Sequence, residues 1–134
     1  MKVITVVAGI LAKDEKILCM QRGEGKYDYI SGKFEFPGGK VENGEKYHEA
    51  LKRELQEEMD LDLDISSGQF YMTVDHVYPD FRVILHSFLL KGITEKFRLN
   101  EHIDYRWMEK EDLLGLNWAP ADIPIVEKLM KETF

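Results

Sequence analysis

The chain has 134 residues, of which 44% are hydrophobic and 32% are charged, and its formal net charge is −7. This length and balance fit a single soluble domain, residues 1–134, with a hydrophobic core of its own. The acidic balance argues against a nucleic-acid polymer as partner, and the absence of any apolar run near ~20 residues argues against a membrane-spanning segment.

The first part of the chain predicts two strands followed by a long loop. Residues 3–12 are apolar and rich in β-branched side chains, which is typical of a central strand, and residues 17–21 predict its partner. Residues 23–33 contain three glycines and two tyrosines, and this length indicates a functional loop. Residues 33–36 predict a short strand and residues 37–39 a turn. The N-terminus lacks a signal-type cleavage site, so we expect a cytoplasmic protein.

The acid-rich segment after this turn predicts a helix with carboxylates on its inner face. Successive helical side chains lie about 100° apart, and on that spacing Leu51 and Leu55 mark the inward arc. Glu54 and Glu58 fall within the arc, and Glu57 lies at its edge. Carboxylates that are buried together lose hydration and repel one another. A divalent cation such as Mg²⁺ or Mn²⁺ would relieve both costs, because it takes oxygen ligands of this kind.

The second half of the chain predicts more strands and a final helix. Alternation of leucine and isoleucine with aspartate predicts an edge strand at residues 60–65. Residues 69–78 and 82–91 predict a β-hairpin around Pro79 and Asp80.

Residues 97–103 predict a polar loop, residues 105–108 a short strand and residues 110–114 a helical turn. Residues 120–133 predict a last helix whose apolar stripe is Ile123, Val126, Leu129 and Met130. The whole order predicts an α/β (α+β) fold, with a mixed sheet sandwiched between helices.

The acid-rich segment also carries a motif that spans 23 positions, residues 39–61. Five residues separate Gly39 from Glu45, and seven more separate Glu45 from the run RELQEEMDL that begins at Arg53. This pattern resembles the signature of the Nudix hydrolase family at every specified position except one. Asp60 stands where the family has the glycine that ends the helix in the left-handed conformation. The departure concerns the helix end and leaves the acidic residues unchanged.

The resemblance implies a role for each residue of the motif. The implied ligands of Mg²⁺ or Mn²⁺ are the carbonyl of Gly39 and the carboxylates of Glu54, Glu57 and Glu58. Glu54 is also a candidate for orienting or deprotonating the attacking water. Arg53 and Glu45 would pair and brace the motif, and Lys40 could face the phosphates of a substrate.

Two further stretches, FEFPGGK at residues 34–40 and WAPADIPIVEKL at residues 118–129, resemble the MutT-type subgroup of the family. In that subgroup a glutamate six residues before a late tryptophan joins the metal site, which implies Glu101 here, although a solvated loop acid is the alternative. The resemblance also implies that Arg22 contacts a phosphate of the substrate. An arginine that is simply exposed on the surface is an equally good interpretation of this residue. Phe36 could line a base pocket or belong to the core.

Asp122 is a candidate for recognising the base of a nucleotide substrate. MutT-type enzymes that select oxidised guanine have an asparagine at the matching position. An ionised aspartate only accepts hydrogen bonds, which suits the amino group of cytosine, whereas a protonated one could still read an oxidised purine. Asp122 also lies two residues before Pro124, where it could cap the last helix.

The implied function is that of a metal-dependent nucleoside triphosphate pyrophosphohydrolase, which releases a nucleoside monophosphate and pyrophosphate. We expect CTP, dCTP or a modified dCTP as substrate, with 8-oxo-dGTP as the second candidate. An alternative of a different class is a non-catalytic Nudix-like domain that binds a nucleotide and regulates a partner. The expected assembly is a monomer or a homodimer.

Overall fold

The structure is a computed structural model that describes residues 1–25, 27–65 and 68–132. In chain order its elements are β1 (Lys2–Lys13), β2 (Lys16–Gln21), β3 (Phe34–Glu35), β4 (Gly38–Lys40), α1 (Tyr47–Met59), β5 (Gln69–Val77), β6 (Phe81–Leu90), β7 (Asp104–Glu109) and α2 (Ile123–Lys131). Two short 3-10 helices, Lys110–Gly115 and Pro120–Asp122, precede α2. None of the helices in the described ranges has the length and apolar character needed to cross a membrane.

The long strand β1 lies at the centre of a mixed sheet in the order β3-β2-β1-β6-β5. It runs parallel to β6, from Lys2 opposite Phe81 to Leu11 opposite Leu90. Its other edge pairs antiparallel with β4 and then with β2, which in turn pairs with β7. An apolar strand can take this position because both of its faces are covered. The predicted fold class and the central position of the first strand are confirmed.

Side chains of β1 alternate between the two faces of the sheet, and each face carries one helix. Val7 and Leu11 pack on the α1 face, where Leu51 belongs to the same apolar cluster. Ile10 points to the opposite face and packs in the cluster that contains Ile125 of α2. Each such side chain stabilises the fold by roughly 1.5–3 kcal/mol when it is fully buried. These contacts fix α1 against the sheet and hold its inward carboxylates there.

Two local predictions next to α1 are wrong. Residues 60–64 pair with no strand of the described sheet, although Leu61, Leu63 and Ile65 are buried as their alternation predicts. They pack under α1 in its apolar cluster, so the alternation reports burial and not strand pairing. Residues 38 and 39, predicted as part of a turn, instead lie in β4 and pair with β1.

The apolar stripe of the last helix is displaced from the predicted one. Ile123 is 36% exposed, whereas Ile125, Val126 and Leu129 are completely buried. The α-helix begins at Ile123, because the preceding residues 120–122 form a 3-10 turn, whose tighter winding changes the phase. The predicted end of this helix, residue 133, lies outside the described residues.

The helix α1 ends at Met59, and Asp60 takes the left-handed conformation with φ 51° and ψ 34°. Asp60 thus occupies the conformation for which the family uses glycine. Its carboxylate oxygen Oδ1 accepts a hydrogen bond from Nδ2 of Asn100 at 3.2 Å. The same amide nitrogen donates to the carbonyl of Glu57 at 2.9 Å. Asn100 therefore supports both the strained residue and the last turn of the helix.

The loop between β6 and β7 closes the C-terminal end of α1. The N–H groups of Arg98 and Asn100 donate to the carbonyls of Met59 and Glu58, at 2.8 and 2.9 Å. Carbonyls in the last turn of a helix lack partners within the helix, so these contacts satisfy them. The docking carries His102, later in the same loop, over the inner face of α1.

We expect Asp60→Asn to raise the free energy of unfolding by about 0.5–1 kcal/mol, because asparagine tolerates the left-handed conformation better and removes a negative charge from the negative end of the helix dipole. Chemical denaturation at neutral pH measures the change. Asp14→Asn is the matched control, since Asp14 also has a φ of 51° but lies in the β1–β2 turn, away from any helix end. A lower stability for Asp60→Asn would show that its ion pair with Arg98, at 4.0 Å, outweighs both effects.

Candidate active site

Arg53 of α1 is the centre of a carboxylate network. Its Nε and Nη2 donate to the two oxygens of Glu45 at 2.8 and 3.0 Å, a bidentate pair. Nη1 donates to Glu54 at 2.9 Å and to Glu57 at 3.3 Å, and Nη2 also reaches the carbonyl of Lys40 at 2.9 Å. The hydrogen bond from Arg53 lowers the pKa of Glu45, and the same bond raises the pKa of Arg53. The predicted pairing of Arg53 with Glu45 is confirmed.

The carboxylate of Glu54 lies directly over the backbone of Gly39 in β4. A Cβ added to Gly39 would lie 2.6 Å from Oε1 of Glu54, far inside van der Waals contact. Only glycine therefore allows the strand and this side chain to approach so closely. The structure thus brings together two residues of the predicted site that are 15 positions apart in the sequence.

Glu58 is a carboxylate on the buried side of α1, with only 4% of its surface exposed. Burial is the main cause that raises its pKa, and the charges of Glu35, Glu54 and Glu101 add to the effect. Its Oε2 has no hydrogen-bond partner among the described residues. An unpaired buried polar group costs about 1–3 kcal/mol, so the fold retains an unfavourable group at this point.

These acidic residues fit a divalent cation. The unpaired oxygen of Glu58, the nearby carboxylate of Glu54 and the backbone carbonyl of Gly39 are hard oxygen donors of the type that Mg²⁺ prefers. Within residues 1–25, 27–65 and 68–132, however, no three acidic, histidine or cysteine side chains stand close enough together to hold an ion as they are placed. Glu54 and Glu57 are instead both paired with Arg53.

His102 lies between Glu58 and a second acid, Glu35 of β3. Its Nε2 is 3.1 Å from Oε2 of Glu35, within hydrogen-bond distance. Its Nδ1 is 3.6 Å from Oε2 of Glu58, which is beyond that distance. In the part of the chain that the structure describes, these two facing atoms therefore have no hydrogen-bond partner. The imidazole itself is 4% exposed.

Sequence reasoning did not single out Glu35 or His102 as site residues. One available signal was the position of Glu35 between Phe34 and Phe36, two side chains that are buried in the core. A charged residue in such a strand needs a partner. The partner, His102, is 67 positions away in the sequence, and no local pattern connects the two.

Arg22 and Asp122 lie close to Glu35. Arg22 donates through Nη1 to Oε1 of Glu35 at 3.3 Å. Asp122 is 7% exposed, and its Oδ1 accepts the backbone N–H of Phe36 at 3.3 Å. Its side chain makes no hydrogen bond to the first turn of α2, so the interpretation of Asp122 as a helix cap is wrong. Its backbone is already helical, with φ −87° and ψ −17°, whereas a capping residue is usually extended.

The environment of Asp122 favours its neutral form. Burial is the largest cause that raises the pKa of this carboxyl well above its usual range, and the charge of Glu35 adds to it. The N–H of Phe36 and the charge of Arg22 oppose the shift in part. A neutral carboxyl both donates and accepts hydrogen bonds.

The remaining predicted residues differ in exposure. Phe36 is buried against Trp118, with ring centroids 4.8 Å apart, which agrees with the core interpretation of its ring. Lys40 at the end of β4 is exposed, and so is Glu101 in the loop before β7. Glu101 is nevertheless near enough to Glu58 to raise its pKa.

The NUDIX domain family matches residues 1–129 of the chain. The CTP pyrophosphohydrolase of Escherichia coli (strain K12) is 35% identical over 130 residues, which cover 97% of this chain and 93% of that protein. The 8-oxo-dGTP diphosphatase of Haemophilus influenzae is 34% identical over 134 residues, which cover 98% and 95% of the two chains. Among solved structures, the E. coli ORF135 protein superposes with a TM-score of 0.83 at 34% identity, covering 98% of this chain and 91% of that one.

Proposed function

Because the chain belongs to the Nudix family, we propose that it is a metal-dependent nucleoside triphosphate pyrophosphohydrolase that releases a nucleoside monophosphate and pyrophosphate. Nudix hydrolases act on nucleotide substrates and generally use divalent metal ions. The observation that carries the proposal is the buried, unpaired carboxylate oxygen of Glu58 beside Glu54. A protein that only bound a nucleotide would gain nothing from keeping this unfavourable group.

The proposed ligands of Mg²⁺ or Mn²⁺ are the carbonyl of Gly39 and the carboxylates of Glu54, Glu57, Glu58 and Glu101. Glu58 supports this assignment through its unpaired oxygen, and Glu101 through its influence on the pKa of Glu58. The bound ion would neutralise phosphate charge and lower the pKa of a water molecule.

The side chains of the protein supply positioning and proton transfer. Glu54, held by Arg53 at 2.9 Å, is the proposed group that orients the water and accepts its proton. The oxygen of that water forms a new bond to phosphorus, and the bond to the bridging oxygen breaks, so that pyrophosphate and the monophosphate separate. Arg22 and Lys40 are the proposed cations that face the phosphates.

Cytidine nucleotides are the proposed substrates, Asp122 is the proposed base reader, and Phe36 is the proposed residue behind the base. Burial disfavours the ionised Asp122 that the sequence led us to expect as an acceptor for the amino group of cytosine. A neutral carboxyl can also pair with cytosine, because it can donate to the ring nitrogen N3 and accept from the amino group. The raised pKa of Asp122 supports the neutral form. The relative named CTP pyrophosphohydrolase, at 35% identity, supports the same assignment.

Oxidised guanine is the second candidate base. A neutral Asp122 presents the same donor and acceptor as the asparagine of MutT-type enzymes, so it could also read 8-oxo-dGTP. The relative from Haemophilus influenzae, named 8-oxo-dGTP diphosphatase and 34% identical, favours this alternative.

The proposal includes the setting in which the protein works. We propose that the protein is a cytoplasmic monomer or homodimer. It would act on free nucleotides and not on a nucleic-acid polymer, because a polymer would be repelled by a protein with a formal net charge of −7. Magnesium is the proposed ion in the cell.

Pyrophosphate release from a panel of nucleotides tests the proposed substrate. The panel contains the NTPs, the dNTPs, 5-methyl-dCTP and 8-oxo-dGTP, each with Mg²⁺ and then with Mn²⁺. We expect cytidine nucleotides to lead by about tenfold in kcat/KM, which is about 1.4 kcal/mol of differential transition-state binding. A clear lead for 8-oxo-dGTP would contradict the cytidine assignment and would support the second candidate.

We expect Asp122→Asn to keep most of the turnover of cytidine nucleotides, and Asp122→Ala to lose base discrimination by about tenfold. The pKa of Asp122 is raised, so the neutral carboxyl and with it kcat/KM of the wild type are lost as the pH rises through that pKa. Asparagine cannot ionise, and this variant should lack the fall at high pH.

The pH profile of kcat/KM measures the difference between these variants. Asp112→Asn is the matched control, because Asp112 is exposed and lies in the 3-10 helix Lys110–Gly115, which contains none of the proposed site residues. If Asp122→Asn lost discrimination as fully as Asp122→Ala, Asp122 would act as an ionised acceptor and the neutral-carboxyl mechanism would be wrong.

A further inference from the structure

We propose that His102 is a positioning residue that fixes two carboxylates at once, Glu58 on the metal side of the site and Glu35 on the nucleotide side. The inference rests on the proposed function, because that function defines the two sides. No contact of His102 with a substrate or a metal ion is required.

The two ring nitrogens of His102 face two different carboxylates on opposite sides of the imidazole. Its Nε2 is 3.1 Å from Glu35 and its Nδ1 is 3.6 Å from Glu58, so the ring separates two acids that would otherwise face each other. Both atoms of the longer contact are buried and have no other partner within the described ranges. A shift of about half an ångström would close that contact into a hydrogen bond.

The loop that carries His102 is anchored at both of its ends. Before the histidine, the N–H of Asn100 donates to the carbonyl of Glu58 at 2.9 Å. After it, the N–H of Ile103 donates to the carbonyl of Gln21 in β2 at 2.9 Å. The position of the ring is therefore fixed relative to both α1 and β2.

Each of the two acids leads to a different part of the proposed site. Glu58 is a proposed metal ligand, and a partner behind such a ligand orients it. Glu35 holds Arg22 at 3.3 Å, and Arg22 is a proposed phosphate contact. The two ring nitrogens should therefore affect two separate measurements, metal affinity and the KM for the nucleotide.

Two substitutions separate these contacts. The amide of asparagine reaches the position of Nδ1, so His102→Asn keeps a group beside Glu58 and loses the one beside Glu35. The longer glutamine reaches the position of Nε2, so His102→Gln keeps the contact with Glu35 and loses the one with Glu58. His48→Gln is the matched control, because His48 is exposed in the first turn of α1.

Mn²⁺ affinity, measured by electron paramagnetic resonance on the nucleotide-free protein, is the first readout. We expect His102→Gln to weaken it by about tenfold or more, the effect of losing a partner behind a metal ligand, and His102→Asn to leave it within about twofold. The second readout is KM at saturating metal for the nucleotide that the panel ranks first. Here we expect the opposite order, with His102→Asn raising KM by about fivefold and His102→Gln leaving it nearly unchanged.

Equal effects of both substitutions on both readouts would mean that His102 only fills space, and the inference would be wrong. If neither His102 substitution changed metal affinity or KM, the proposed positioning role would also be wrong. In that case, hydrolysis by the wild type would still support the proposed function. The Mn²⁺ titration does not depend on turnover, so a wild type without any hydrolysis would contradict the proposed function alone. Circular dichroism identifies a variant that fails to fold. If one His102 variant does not fold, the metal affinity and KM of the other variant test the proposal.

Discussion

Glutamine in place of Glu58 is expected to lower kcat by about a thousandfold, because a bound metal that stabilises developing charge is worth several kcal/mol. The same substitution should make the metal-free protein more stable. Glutamine keeps the shape of the side chain, and it cannot become a buried negative charge that faces the acids Glu35, Glu54 and Glu101. The gain should be about 1–3 kcal/mol in the free energy of unfolding at neutral pH, because the carboxyl of Glu58 must hold a proton in the folded state that it would release in the unfolded chain.

The pH dependence of this gain follows from the direction of the pKa shift. The pKa of Glu58 is raised in the folded state, so the metal-free wild type loses stability as the pH rises above the ordinary carboxyl range. Glu58→Gln should therefore be more stable than the wild type at neutral pH, and the difference should vanish below about pH 4, where the carboxyl is protonated in both states.

Thermal unfolding in EDTA and in Mg²⁺ measures both consequences. Magnesium should stabilise the wild type and have little effect on Glu58→Gln, since a ligand stabilises only the state that binds it. Glu127→Gln is the matched control, because it removes the same charge from an exposed position on α2. A Glu58→Gln protein that was both fully active and less stable would contradict the assignment of this carboxylate to the metal site.

Gly39→Ala is expected to lower kcat by about a hundredfold while the protein remains folded, because a displacement of about 1 Å in a catalytic group has effects of that size. The added methyl group would occupy the place of the Glu54 carboxylate, which would have to move away from Arg53. The carboxylate is the end of a flexible side chain, so the fold can accommodate the change even though the site cannot.

Two other glycines, Gly38 next to Gly39 and Gly115 in the 3-10 helix Lys110–Gly115, show whether this effect is specific. At Gly38 an added Cβ would collide with the backbone carbonyl of Val7 in β1, so Gly38→Ala should lower stability as well as activity. At Gly115 no atom lies within 4 Å of an added Cβ, and Gly115→Ala should change neither. Full activity of Gly39→Ala, with kcat/KM and thermal stability measured together, would show that the position of Glu54 is unimportant.

The sequence was sufficient wherever a local pattern determined the structure. The apolar run of β1 predicted a strand that is covered on both faces, and the spacing of Leu51, Leu55 and Glu58 predicted the inner face of α1. The buried side of that helix holds the same residues in the structure. Patterns of this kind depend only on helix and strand geometry, and neighbours in the sequence decide them.

Contacts between distant segments could not be predicted in the same way. The alternation at residues 60–65 correctly reported burial, but whether the segment pairs with a strand depends on the element above it. Asp122 bonds to the N–H of Phe36 across 86 positions, and this tertiary contact replaced the local capping role that the sequence suggested. The contact of His102 with Glu35 depends on how the loop docks onto α1, which no periodicity encodes.

The products formed from CTP test the central claim most directly. Phosphorus-31 NMR can follow CTP with the wild-type protein in Mg²⁺, and in EDTA as the comparison. We predict that CMP and pyrophosphate form in equal amounts with the metal and that neither forms in EDTA. Hydrolysis at the same rate in EDTA, or tight binding of CTP without any hydrolysis in Mg²⁺ or Mn²⁺, would contradict the metal-dependent mechanism.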